Sequence, residues 1–271
     1  MKEIKYVVEN SEHVRIDLDK VRELAVEVAS HESVHWLEKC PVDLAGVDIV
    51  KFLFAFNSIS FSYWGEPKWT NGYERGTWCM IDALKRASGV DFSSLDRAGL
   101  EDVLRGNVEI PLLDERLAIL RSLDYTVCTD DALEFVEQVV ARNPSFEDKA
   151  LYKGEEVVFN KRAQLLASDL GQVLDLKNLD KLTACADYIL PMVLREKGVL
   201  VYSDELASKI DKRVELLSGG EEEVEIRAGT VWAVELAKGS LSAMAVNDYL
   251  WLAGDSVPAD REYHRVRSCA Y

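Results

Sequence analysis

Four charged side chains, Lys161, Arg162, Asp169 and Asp187, stand among Leu165, Leu166, Leu170, Ile189 and Leu190 in sequence that otherwise has the character of helical core. Charge in such a place costs stability unless something compensates it. Two compensations are open: the four pair with one another across two helices, or a bound substrate completes them. The second case makes the four a candidate catalytic site, and composition alone does not choose between the two.

A second group is aromatic: Phe52, Phe54, Phe56, Phe61, Tyr63, Trp64, Trp69, Tyr73 and Trp78. The phenylalanines fall inside an apolar run and read as core. Trp64, Trp69 and Tyr73 lie in a stretch with Gly65, Pro67, Asn71 and Gly72 at turn spacing, where a large ring either packs or stacks on a flat heterocycle. A third pattern is His31-Glu32-Ser33-Val34-His35, which fits the zinc-peptidase motif H-E-x-x-H. The only other histidines are His13 and His264, so no third ligand stands out, and two histidines flanking a helix is the preferred reading.

The elements that must position these groups are helical. Apolar periodicity predicts one or two helices over Leu18–Leu37, an apolar segment over Val47–Phe61, a loop over residues 64–75, and helices over Thr77–Ser88, Leu95–Leu104, Leu113–Leu123 and Asp131–Arg142. Asn143-Pro144-Ser145 marks a boundary between layers of one domain spanning 1–271. Beyond it a helix over Lys161–Val173 is expected to bury Ala163, Leu166, Leu170 and Val173, leaving Lys161, Gln164 and Ser168 toward a cleft. A helix over Leu179–Leu194 is expected to kink, because Pro191 removes the donor for the carbonyl of Asp187. Ser203 begins another helix, and Glu221–Met244 reads as one long core helix through Val224, Ala228, Val231, Trp232 and Leu236. Residues 255–271 are irregular. The fold class is mainly α with few or no strands.

Composition narrows the partners. Forty-eight acidic against 32 basic residues give a formal net charge of −16, which repels polyanions and points to a small molecule rather than a nucleic acid polymer. Five cysteines without a C-x-x-C pair read as reduced thiols. The first residues lack a sustained apolar stretch and no later segment reaches membrane-spanning length, so a cytoplasmic protein with no membrane partner is expected.

Six blocks occur in order: Phe54 to Trp64 with Pro67-Lys68-Trp69, Pro111 to Arg116, Pro144 to Asp148 with Tyr152 and Gly154, Lys161-Arg162-Ala163-Gln164, Ala186-Asp187-Tyr188, and Glu223-Val224-Glu225-Ile226-Arg227. Together they resemble the queuosine salvage protein family, the queuosine 5'-phosphate N-glycosidases, over roughly residues 20–245. The resemblance implies a compact helical fold similar to DNA base-excision glycosylases. It also implies hydrolysis of the N-glycosidic bond of queuosine 5'-monophosphate, or of queuosine, to release queuine for reinsertion into tRNA.

The implied roles are Asp187 as the carboxylate beneath the sugar, with Asp169 in reserve, and Lys161, with Arg162, on the phosphate or ribose. Phe54, Ser58, Tyr63, Trp64, Trp69, Tyr73, Gln164, Tyr188 and Arg227 would line the substrate site, and Glu223 or Glu225 would accept from the base's N–H groups. The chemistry demands no metal or organic cofactor. The chain departs from the family pattern at Ile189 and Met192, where Arg and Gln are expected, which shifts a contact to sugar, phosphate or cyclopentenediol elsewhere or the preference toward the nucleoside or another deazapurine. The rival classes are a zinc peptidase acting through His31, Glu32 and His35, and a non-catalytic helical protein that binds a deazapurine nucleoside.

Overall fold

A computed structural model describes residues 1–271. Twelve α-helices carry the fold, and four short strands form two antiparallel pairs. The mainly α expectation holds.

The chain opens with α1 (Lys2–Glu9), β1 (Val14–Ile16) and α2 (Leu18–Ala29), the last capped by Asp17, whose carboxylate accepts from the amides of Asp19 and Lys20. Then come α3 (Ile49–Ser58), α4 (Gly76–Arg86), α5 (Arg97–Val103), α6 (Leu113–Arg121) and α7 (Ala132–Arg142). A hairpin of β2 (Lys149–Tyr152) and β3 (Glu155–Val158) leads into α8 (Lys161–Leu170). The last elements are α9 (Ile189–Glu196), β4 (Leu200–Tyr202), α10 (Asp204–Asp211), α11 (Glu221–Ala237) and α12 (Ala243–Ala253). β4 returns to pair with β1, setting Arg15 opposite Val201.

Burial divides the apolar residues into two large cores and a small one. The first gathers the inward faces of α3 to α8, including Phe54, Phe56, Met80, Leu120, Phe135 and Leu166. The second is built by α2, α9, α10, α11 and α12 through residues such as Leu24, Leu194, Ile210, Val234 and Leu250. The third packs α1 and the β2–β3 hairpin on Val224, Ala228 and Val231 of α11. α11 therefore serves two cores and is buried around much of its circumference, which is why it carries apolar residues on more than one face.

Four expectations need correction. The first concerns His31 to His35, which is not helical: α2 ends at Ala29, and His35 caps a 3-10 turn over Trp36–Lys39. The expected helix over Leu179–Leu194 is a 3-10 turn at Leu179–Lys181, then irregular chain, then α9 from Ile189. Pro191 is the third residue of α9, where its missing N–H had no helical acceptor to serve, so it starts a helix rather than kinking one. The helix expected over Glu221–Met244 is two, separated at Gly239, whose φ of +55° suits glycine, and α12 is capped by Ser242. Val173 and Leu236, expected in the core, are exposed.

Candidate active site

A cavity of about 220 Å³ lies where the two large cores meet. Its walls are the end of α3 and the chain after it, the start of α4, the start of α8, the segment that enters α9, the C-terminal half of α12, and the tail.

Local sequence explains how the two charges reach it. Asn160 adopts a left-handed φ of 46°, which asparagine tolerates better than most residues, and turns the chain from the hairpin into α8. Lys161 is thus the first residue of α8. Its amide donates to Asp148 Oδ2 at 3.0 Å, while its ammonium, 7% exposed as a residue, lines the cavity with no carboxylate partner. Asp187 precedes α9, and its Oδ1 accepts from the amides of Ile189 (2.8 Å) and Leu190 (3.0 Å). That capping fixes the side chain and leaves Oδ2 without a protein donor on the cavity wall.

The rest of the wall is aromatic and apolar with a few polar groups. Tyr63, Trp64, Tyr188 and Tyr263 contribute rings, Tyr188 and Tyr263 with centroids 5.0 Å apart. Trp36, Phe56 and Trp251 line another part; Trp36 packs 5.5 Å from Trp251 and 5.7 Å from Phe56. Ser60, Thr77, Asn247 and Cys185 supply polar atoms, and Lys68, Glu74, Arg75 and Asp255 add charge. Arg75 is already engaged, with Asp255 (2.7 Å) and the Trp251 carbonyl (3.1 Å). Gly76 admits no side chain, because a Cβ there would fall 2.5 Å from Cβ of Tyr63.

Of the site residues expected from sequence, Lys161, Asp187, Tyr63, Trp64 and Tyr188 meet on the cavity wall. The others are placed elsewhere. Phe54 packs on Tyr125 and Phe135 in the first core. Ser58 donates to the Ala55 carbonyl. Trp69 is fully buried behind Tyr63 and donates to the Leu104 carbonyl at 3.0 Å. Tyr73 packs against the same core. Arg162 donates to the main-chain carbonyls of Ser58 and Ser145 and lies near the faces of Phe61 and Phe146, with burial pushing its pKa down to about 10. Gln164 brackets Thr183 by accepting from its amide (2.7 Å) and donating to its hydroxyl (2.8 Å).

The acidic and basic residues of α11 are also internal. Glu225 accepts from the Ser11 hydroxyl (2.6 Å), the amides of Glu12, His13 and Val14, and the Tyr152 hydroxyl (2.8 Å), so it ties down the N-terminal segment. Glu223 accepts from the Tyr271 hydroxyl at 2.9 Å. Arg227 grips Asp148 with two bonds of 2.8 and 2.6 Å.

Asp169 sits behind the wall. It accepts from Trp36 Nε1 and Asn57 Nδ2, both at 2.8 Å, and burial pushes its pKa up to about 8. His35 Nε2 lies 3.6 Å from Asp169 and 3.9 Å from Asp248 without a hydrogen-bond partner. Burial lowers the His35 pKa to about 4 and raises that of Asp248 to about 7. His31 turns instead to the Glu27 carbonyl and the Tyr249 ring, so the two histidines do not share a helix face. No group of three His, Cys, Asp or Glu side chains is arranged to hold a metal ion.

Sequence reasoning missed Trp36, Cys185, Asn247, Trp251, Tyr263 and Tyr271 on the wall. The tail signal was its aromatic content: Tyr263 and Tyr271 are rings in an irregular segment, the same signal that singled out Trp64. Ile189 does line the cavity, whereas Met192 is buried away from it.

A helical shell around a partly apolar cavity, with a free carboxylate and a free ammonium on its wall, defines a protein built to bind and act on a small polar molecule. The chain belongs to the queuosine salvage protein family, whose model matches residues 42–271. It is 33% identical to a protein of Sphaerobacter thermophilus named queuosine 5'-phosphate N-glycosylase/hydrolase, over 98% of this chain and 95% of that protein. A mouse protein of the same name is 30% identical over 98% of this chain and 96% of its own length. One from Dictyostelium discoideum is 26% identical, covering 91% and 90%.

Proposed function

We propose that the chain hydrolyses the N-glycosidic bond of queuosine 5'-phosphate and releases queuine, with Asp187 and Lys161 as its principal charges. The observation that carries this reading is the pair itself: a capped carboxylate with one oxygen free and a buried, unpartnered ammonium on one cavity wall. The named relatives support the reaction and the substrate.

Breaking the ribosyl bond builds positive charge on the sugar and negative charge on the departing base. Water adds to C1′ as the C1′–N9 bond breaks, its electron pair leaves with the base, and a water proton is passed on to neutralise the base. Asp187 Oδ2 faces the developing oxocarbenium and orients the water, and its capping bonds hold it still so that little reorganisation is needed. A 7-deazapurine has no N7 to protonate, so hydrogen bonds to the base edge carry more of the load. Of the wall's neutral polar side chains Thr77 is free to meet that edge, while Ser60 is bonded to the Phe56 carbonyl and the Tyr63 hydroxyl, and Asn247 to the Cys185 amide and Asp248. Trp64 and the Tyr188–Tyr263 pair offer faces for stacking. Lys161 meets the ribose or the 5'-phosphate.

Incubation with queuosine 5'-phosphate, queuosine, GMP and a peptide panel, read by mass spectrometry, tests the reading. Queuine release from the nucleotide is expected, abolished by Asp187→Asn with ligand binding retained. Near wild-type turnover in that variant removes Asp187 from the mechanism.

A further inference from the structure

We infer that the buried Asp148–Arg227 ion pair is a clamp that sets the distance between Lys161 and Asp187, which makes both members positioning residues; the inference rests on the reading of the cavity given above. Neither residue lines the cavity, and both are nearly excluded from solvent. Their contacts run to the backbone beside each functional charge. Asp148 Oδ2 accepts from the Lys161 amide at 3.0 Å and from Arg227 Nη2 at 2.6 Å, while Oδ1 accepts from Nη1 at 2.8 Å. A third donor, Arg227 Nε, reaches the carbonyl of Ala186 at 3.2 Å, one residue before Asp187, and Nη1 also lies 3.6 Å from the Glu223 carboxylate.

The link from one charge to the other is thus amide, carboxylate, guanidinium, carbonyl, with no gap. Its ends are stiff. On one side, the main-chain carbonyl of Asp148 accepts from the amides of Phe159 (2.8 Å) and Asn160 (3.2 Å), which closes the β2–β3 hairpin just before Lys161. On the other, Asp187 is pinned by its own capping bonds. The guanidinium carbon lies over the rings of both Phe159 (4.0 Å) and Tyr271 (4.5 Å).

A buried pair kept for stability alone is replaceable by apolar residues of similar volume. Apolar residues would supply neither the acceptor for Lys161 N nor the donor for Ala186 O. The demand here is geometric, since a carboxylate and an ammonium must meet the same nucleotide within a fraction of an ångström.

Arg227→Lys tests this, because a lysine keeps the charge but cannot donate to both carboxylate oxygens and to Ala186 at once. In the full chain, confirmed folded by circular dichroism, kcat for the nucleotide is expected to fall about 10- to 100-fold while KM stays within about threefold. A second variant, Asp148→Asn with Arg227→Gln, removes both charges of the pair together while Glu223, 3.6 Å from Arg227, keeps its bonds from the Tyr271 hydroxyl and the Gly219 amide, and is expected to show the same split; it decides the matter if Arg227→Lys does not fold. Wild-type kcat in a folded variant overturns the clamp, as does a raised KM with kcat unchanged, which makes Arg227 a substrate contact. Absence of base release by the wild-type chain itself is a different result and takes down the reading of the cavity.

Discussion

At the scale of single residues, the site depends on two buried charges left free while the buried charges around them are satisfied. Lys161 is the buried cation of the wall without a carboxylate partner, so its removal loses a substrate contact and breaks no ion pair. Lys161→Met is expected to raise KM for the nucleotide by about 10- to 100-fold, the worth of a hydrogen bond to a charged group. Steady-state kinetics on nucleotide and nucleoside in parallel checks it: loss on both places Lys161 at the ribose, loss on the nucleotide alone places it at the phosphate, and no change on either removes it from the site. Both charges were legible in the sequence because charge in apolar helical sequence demands compensation. The same signal came from Arg162, Asp169, Glu223, Glu225 and Arg227, whose compensating partners are Ser58 and Ser145 carbonyls, Trp36, Tyr271, residues 11–14 and Asp148. Those partners are remote in sequence, and spacing carries no trace of them.

At the scale of elements, helix starts do much of the positioning. Asp187, one residue before the N-cap Tyr188, serves both as the free carboxylate of the cavity and as the acceptor for the first two amides of α9. Asparagine caps a helix about as well as aspartate, so Asp187→Asn should keep stability within a few tenths of a kcal/mol, whereas Asp187→Ala should lose about 1 kcal/mol. Urea denaturation of the two variants separates capping from chemistry, and equal stability would mean that the cap contributes nothing. Glu225 does a different job, gathering donors from Ser11 to Val14 and from Tyr152. Glu225→Ala leaves several of them buried without an acceptor and is expected to cost about 3 kcal/mol or more, with kcat per folded molecule unchanged. A large drop in kcat at full folding would place Glu225 in the chemistry after all. Caps such as Asp131 and Ser203 could be read from sequence because they act within three residues. Pro191 could not, because the same residue marks a helix interior break or a helix first turn, and only the irregular chain from Thr183 to Asp187 decides between them.

At the scale of the whole molecule, the two cores meet over a layer of buried titratable groups, and that layer gives stability a pH dependence. Burial pushes the Asp169 carboxyl up to about 8 and that of Asp248 up to about 7. In the unfolded chain both lie near an ordinary aspartate value of about 3.9. Between those limits the native state holds protons that the unfolded state has released, so stability falls as pH rises toward 8. His35 works the other way: its pKa is pushed down to about 4, so the unfolded chain binds the extra proton, but only below about 6.5. From pH 6.5 upward the two aspartates therefore act unopposed by His35, with a slope of up to about 1.4 kcal/mol per pH unit for each proton retained. The remaining surface carboxylates are already ionised there and add little to the slope. Urea denaturation at pH 6.5, 7.5 and 8.5 and constant ionic strength is expected to show wild-type stability declining, and the decline flattened in Asp169→Asn. Asparagine keeps an acceptor for Trp36 Nε1 without a titrating proton, so the variant removes the pH dependence more than the packing. Wild-type stability that is level or rising over this range would show both carboxyls already ionised at pH 6.5, and the layer would then have to hold two negative charges around His35.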